Sequence, residues 1–386
     1  MLFHMPVKLY FGPGQIEQLK SIVSEELKAK SSVIITDKGV AEAGLVDRVT
    51  DLLPGARVFD QIEANPKSNT INQIAAALRT DKPDLIIGLG GGSPLDAGKA
   101  LALLVTNGGN IEDYEGREKY TSDPLPFLAI PTTCGTGSEV TWVSVITDVN
   151  RKFKMSIKGS RMYPCVSIVD PDLISSLPKS IIASTGLDAL THAVEAYLSK
   201  PATLVTDTCA ARAVQLILGS LEKAWADIEN NRLDRENLMM GSTIAGFAFG
   251  NSDVTAVHCI SESIGALYDV PHGVANSIFL PHVLAYNLPA CKGKMADLAK
   301  IAGMAQKAKA VFPGAKDPQD ALAKTFIQEI RSLSSRLKIP RFSDLNIGPD
   351  QNKTIARMSV ANNSNDSNPL TLGQADYCKI LENALE

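Results

Sequence analysis

One aspartate and three histidines stand out by residue type and spacing. Asp188 and His192 lie four residues apart in STGLDALTHAVEAYLS, so on a helix they share one face. Their neighbours are apolar, and a carboxylate and an imidazole buried there without partners would both be costly. His258 and His272 follow, fourteen positions apart, in AVHCISESIGALYDVPHGVANS. One carboxylate and three imidazoles make a ligand set for a divalent metal that leaves coordination open to a substrate. Taken singly, each histidine reads better as a hydrogen-bonded core residue; for the Asp188–His192 pair the two readings are even. An intrahelical hydrogen bond would satisfy Asp188 and His192 without any metal. His4 and His282 complete the five histidines and are read as structural.

A second stretch suits phosphate. DLIIGLGGGSPLDAGKALALL reads as a strand, a glycine turn and a helix. Gly90, Gly91 and Gly92 would let the backbone approach a ligand, and free N–H groups at the helix start favour an anion. Ser93 has the chemistry of an N-cap, Pro94 suits the first helical position, and Asp96 stands where a capping-box acid would. The pattern is not the usual dinucleotide fingerprint, because Gly88-x-Gly90-x-x-Ser93 ends in serine and no acid follows at the expected distance. The acid placed to hold a ribose is Asp37, directly after the run VIIT. Thr132, Thr133, Thr136 and Ser138 in IPTTCGTGSEV offer further polar contacts.

These groups need a scaffold. In the first half, short β-branched runs (SSVIITD, ARVFDQI, DLIIGLG, PFLAIPTT, VSIVDP) alternate with helical stretches such as TINQIAAALR. Such alternation implies a mostly parallel sheet covered on both faces. From about Ser184 strand signals almost vanish, and LVTDTCAARAVQLILGSLEKAWADI and ALAKTFIQEIRSLSSRLKI carry helical spacing. The expected organisation is an α/β domain over residues 1–183 and an all-helical domain over 184–386. The 386 residues carry a net charge of −4, which gives no basic field for nucleic acid or an anionic membrane. No signal peptide is read at the N-terminus, and no segment is expected to reach the roughly 20 apolar residues of a membrane span. Six scattered cysteines without a CxxC pair fit a reducing cytoplasm.

GGGSPLDAGK, PTTCGTGSEVT, TGLDALTHAVEAYLS and VPHGVANSIFLPHV, in this order, resemble the iron-containing (group III) alcohol dehydrogenase family. The similarity runs over nearly the whole chain. It implies an N-terminal dinucleotide-binding α/β domain and a helical metal-binding domain. It further implies that Asp188, His192, His258 and His272 hold the metal, usually ferrous iron and sometimes zinc. By the same resemblance Gly91, Gly92 and Ser93 form the phosphate turn, with Asp96 beside the cofactor and Thr132 and Thr133 flanking the nucleotide. Asn65, Val145 and Lys154 match further cofactor contacts. Many relatives carry a second histidine four residues after the third ligand, near the substrate or in a proton relay. Here that position is Glu262.

The implied activity is hydride transfer between NAD(H), with NADP as the other cofactor, and a small neutral primary alcohol or aldehyde, in a homo-oligomer. A lyase resembling dehydroquinate synthase would want a cationic cluster near the metal for its phosphorylated substrate. Glu236 to Cys291 contains no Lys or Arg, which argues for a neutral substrate. A silent nucleotide-binding sensor would have no need of an open metal site. Glu195, one turn beyond His192, reads either as a support for the metal ligands or as a solvated helix residue.

Overall fold

The computed structural model describes residues 2–385. Nine strands run in chain order: β1 (Lys8–Phe11), β2 (Ser32–Ile35), β3 (Arg57–Phe59), β4 (Leu85–Gly90), β5 (Gly116–Arg117), β6 (Phe127–Pro131), β7 (Val143–Asp148), β8 (Phe153–Lys158) and β9 (Val166–Val169). Six of them form one sheet in the order β1-β9-β6-β4-β2-β3, every pairing parallel. Side chains alternate between its faces, as the two-residue period of a strand requires. Val33, Ile35, Ile86 and Ala129 join one buried cluster. Ile34, Ile87, Leu128 and Ile130 join the other. Helices Ser68–Thr80 and Gly92–Asn107 pack together and supply Ile71, Ile74, Leu101 and Leu104 to the first cluster.

The five β-branched runs correspond to β2, β3, β4, β6 and β9. β1 carries no such run, because its four residues are exposed or only half-buried at the sheet edge. A second sheet lies outside these runs: β7 pairs antiparallel with β8, and β8 pairs parallel with β5. Its strands mix polar and apolar residues, VSVITD and FKMSIK, and offer no continuous apolar run.

The chain forms two compact units. One comprises His4–Leu177 together with Ile228–Met239, and the other Pro178–Asp227 together with Met240 onward, joined by the first residues of the chain. The return of Ile228–Met239 to the first unit was not anticipated by a simple division at 183/184. A buried arginine explains it. Arg235 donates to the carbonyls of Ile228 and Glu229 at 2.9 and 3.0 Å and to Asp172 Oδ1 at 2.7 Å, which ties the segment to the α/β unit.

The second unit has no strand among its described residues. The helix His272–Ile301 packs against Lys179–Leu198, Ala256–Tyr268 and Pro318–Arg336. One helix, Leu204–Ala226, is long and apolar enough by composition to cross a membrane, contrary to the expectation that no segment would be. It buries Ala210, Val214, Ile217 and Leu221 and packs along Lys179–Leu198, so its apolar residues serve this helical unit.

Candidate metal centre

Three helices deliver four side chains to one point. Asp188 and His192 come from Lys179–Leu198, His258 from Ala256–Tyr268, and His272 from the first position of His272–Ile301. One ligand atom from each lies within 4.8 Å of all the others. Gly273 makes the approach close enough: a Cβ there would stand 2.6 Å from the carbonyl oxygen of Ser184. Only glycine lets the start of that helix lie against the Asp188 helix without displacement.

Hydrogen bonds fix how two of the rings face. The Nδ1–H of His192 donates to the backbone carbonyl of Asp188 at 2.9 Å. The Nδ1–H of His258 donates to Glu195 Oε2 at 2.5 Å. Both rings thereby turn Nε2 inward, and these atoms stand 3.0 Å apart. With both Nδ1 positions protonated, two neutral rings would oppose lone pairs at that distance. A cation between them removes the conflict. The Asp188 carboxylate lies 3.9 Å from His272 Nε2 and supplies negative charge. One carboxylate oxygen and three imidazole nitrogens suit a divalent ion such as Fe2+ or Zn2+, so the residues present fit the metal.

Charge balance supports the same arrangement. Burial pushes the His192 imidazolium down to about 4, against the opposing charge of Asp188, so the ring is neutral and its Nε2 lone pair is available. Burial also disfavours a charged His258, but the hydrogen bond and charge of Glu195 outweigh it and the net direction is up. A cation entering the site therefore competes with a proton on His258. The Glu195 carboxyl is itself held below its usual range, because its His258 and Thr255 partners outweigh its burial.

Glu195 is 2% exposed, so the solvated reading of this residue is wrong. Its Oε1 accepts from the Thr255 hydroxyl and from the backbone N–H of Val257. The carboxylate thus satisfies an orphan donor at the start of the His258 helix while orienting His258 itself. Two other neighbours are not among the residues expected from the sequence. Phe249 stacks on the His192 ring at 4.4 Å between centroids. Asn276, one turn after His272, brings its amide to the ligands. The spacing of Asn276 from His272 was available in the sequence; the Phe249 contact was not. Glu262 lies one turn beyond His258, close enough for its charge to act on that ring, and its Oε2 accepts from Asn362 at 2.6 Å. His282 is not among the four clustered residues.

In the α/β unit the residues expected around a nucleotide are linked to one another. The helix after β4 begins at Gly92 with Gly91 as its N-cap. This differs from the expected capping by Ser93, whose hydroxyl donates instead to the Ala64 carbonyl at 2.5 Å. Pro94 accordingly sits beyond the first helical position. Asp96 does not close a capping box: it accepts from Ser138 Oγ at 2.6 Å and from the N–H of Val145 at 2.9 Å, tying the helix to β7. Gly92 must be glycine, since a Cβ would meet Thr136 Cγ2 at 2.5 Å. The Thr133 side chain lies against Gly91, and the N–H of Thr132 donates to Gly90 at 2.9 Å. Asn65 Oδ1 accepts from Lys154 Nζ at 2.9 Å. Asp37 caps the short helix after β2 by accepting from Val40 at 2.9 Å, and its other oxygen borders Gly90.

Sequence profiles match in two blocks that cover most of the chain. The profile of iron-containing alcohol dehydrogenase matches residues 6–171, and that of the C-terminal domain of the Fe-containing alcohol dehydrogenase family matches residues 182–385. The chain is 38% identical to 1,3-propanediol dehydrogenase of Klebsiella pneumoniae, covering 97% of this chain and 96% of that protein. It is 32% identical to the NAD-dependent methanol dehydrogenase of Bacillus methanolicus, covering 99% of each. The crystal structure of a 1,3-propanediol oxidoreductase superposes with a TM-score of 0.92 at 36% identity, covering all of both chains.

Proposed function

The chain belongs to the iron-containing alcohol dehydrogenase family, and from that premise we propose that Asp188, His192, His258 and His272 hold its metal. The protein is a metal-dependent oxidoreductase that transfers hydride between NAD(H) and an alcohol or aldehyde. The observation that carries the site assignment is the meeting of four ligand atoms within 4.8 Å, with Nδ1 of two of the histidines engaged elsewhere.

A divalent ion held there supplies Lewis acidity, polarising the substrate oxygen and lowering the pKa of an alcohol. The protein supplies the rest. Glu195 keeps His258 turned with Nε2 inward, and the Asp188 carbonyl does the same for His192. Phe249 covers one face of the His192 ring and excludes water from it. Glu262, in place of the common family histidine, is the group nearest in sequence to relay a proton or contact the substrate. The nucleotide is assigned to Gly91, Gly92, Ser93, Asp96, Thr132, Thr133, Val145, Asn65 and Lys154, with Asp37 at the adenosine ribose. The absence of Lys and Arg from Glu236 to Cys291 supports a small, neutral primary alcohol or aldehyde as substrate. None of the six cysteines forms a disulfide, in keeping with the expected cytoplasmic setting, and the enzyme is expected to work as a homo-oligomer.

The test is metal content and turnover together. Protein loaded with Fe2+ or Zn2+ should oxidise NADH when given a panel of small aldehydes. His258→Ala should lose both metal and turnover while keeping its helical circular-dichroism signal, whereas His282→Ala should keep its metal. A His258→Ala protein with full metal and full activity would show the ligand set to be wrong.

A further inference from the structure

Asn276 is fully buried and shares a helix face with His272, one turn away. Its Nδ2 lies 2.6 Å from Asp188 Oδ1, 3.1 Å from His258 Nε2 and 3.1 Å from His272 Nε2. An amide nitrogen carries two hydrogens, so it cannot donate to all three. The oxygen of the same amide, also buried, has no hydrogen-bond partner. One end of the side chain has too many acceptors around it and the other has none.

A cation changes what this position requires. The lone pairs of Asp188 and the histidines then point at the ion, and an N–H group facing the same point is repelled. A half-turn about the Cβ–Cγ bond exchanges oxygen and nitrogen, which occupy nearly the same shape. Oδ1 would then stand where Nδ2 stands now, 2.6 to 3.1 Å from three ligand atoms. Ligands at about 2.0–2.2 Å from one ion lie roughly 3 Å from their neighbours. The two inward Nε2 atoms of His192 and His258 show that same spacing, 3.0 Å. An amide carbonyl oxygen is a competent ligand for hard divalent cations.

We propose that Asn276 is a fifth group of the metal centre: its Nδ2 donates to two of the ligands when no ion is bound, and its Oδ1 coordinates the ion when one is. This rests on the assignment of Asp188, His192, His258 and His272 as ligands. It differs from a purely positioning role, in which the N–H would hold the Asp188 carboxylate in both states and never touch the metal.

Cobalt substitution separates the two. The visible spectrum of bound Co2+ reports coordination number, intensifying as the site loses a ligand and nears tetrahedral. Asn276→Leu should bind Co2+ about 10–100-fold more weakly in chelator competition and show a more intense spectrum than wild type. Asn276→Ala gives the same readout if the leucine variant does not fold. Asn276→Asp, which keeps an oxygen at that position, should keep the wild-type spectrum. A wild-type spectrum in Asn276→Leu or Asn276→Ala, even with weaker binding, would overturn the ligand role while leaving the four-residue site intact. Wild-type protein that takes up no Co2+ would overturn both readings.

Discussion

Glu195 Oε2 accepts the Nδ1–H of His258 at 2.5 Å while its other oxygen accepts the backbone N–H of Val257 at 2.8 Å. One buried carboxylate therefore does two things: it turns Nε2 of the His258 ring inward and caps the helix that carries the ring. The two tasks separate by substitution. Glu195→Gln keeps an acceptor for the ring but removes the charge, and should weaken metal binding about 10–100-fold with little loss of stability. Glu195→Ala leaves the donors of His258 and Val257 unsatisfied and should also cost about 1–3 kcal/mol of stability. Chelator competition and urea unfolding of the metal-free protein measure the two effects. Equal metal affinity in Glu195→Gln and wild type would remove Glu195 from the metal centre.

Glu262 is expected to tune proton movement or substrate choice without holding the metal. Its Oε2 is engaged by Asn362, and it is not among the four clustered residues. Glu262→Gln should retain its metal and shift the pH–rate profile. A profile identical to wild type with every substrate tried would reduce Glu262 to a structural residue.

Asp37 should favour NAD over NADP. Its carboxylate borders Gly90, and the extra phosphate of NADP would bring about −2 charge toward it. Repulsion of ~1–4 kcal/mol corresponds to a preference of roughly tenfold to thousandfold, softened by Lys38 next door. Asp37→Gly should raise kcat/KM with NADPH and lower it with NADH. The same substitution removes the cap on Val40, so the ratio of the two cofactors is the informative quantity. Wild-type enzyme that already prefers NADPH would refute the ribose role.

His282 should contribute to acid sensitivity. Burial, reinforced by the charge of Arg331, pushes it down to about 4 from 6.5. Between those values the unfolded chain binds a proton that the folded chain does not. Stability from this group is therefore present above pH 6.5 and is lost as the pH falls toward 4. His282→Gln should flatten the acid arm of the stability profile by about 1–3 kcal/mol, read from urea midpoints of metal-free protein at neutral and acid pH. An unchanged acid arm would mean that His282 takes up its proton equally readily in the folded and unfolded chains.

The sequence by itself determined the alternation of parallel strands and helices, the helical second half, and the one-turn spacing of Asp188 and His192, while the joining of His258 and His272 to that pair was implied by the family resemblance. These were legible because apolar periodicity and residue spacing are local properties. Asp188 and His192 lie one turn apart on any helix. The tertiary structure alone decided how these distant side chains are brought together and held. Glu195 reads in the sequence either as a support for the metal ligands or as a solvated helix residue, and only the second helix that starts over it and buries it decides between them. Asn276 is four residues from a histidine in the sequence, but its three acceptors come from three helices. Ser93 and Asp96 fit a capping pattern locally, yet the helix starts earlier, at Gly92 with Gly91 as its N-cap, so both lie inside it and take partners at Ala64, Ser138 and Val145. β1 and the β5-β8-β7 sheet escaped notice for the same reason: short or half-polar strands are stabilised by the neighbours they pair with, and that pairing is not encoded in local periodicity.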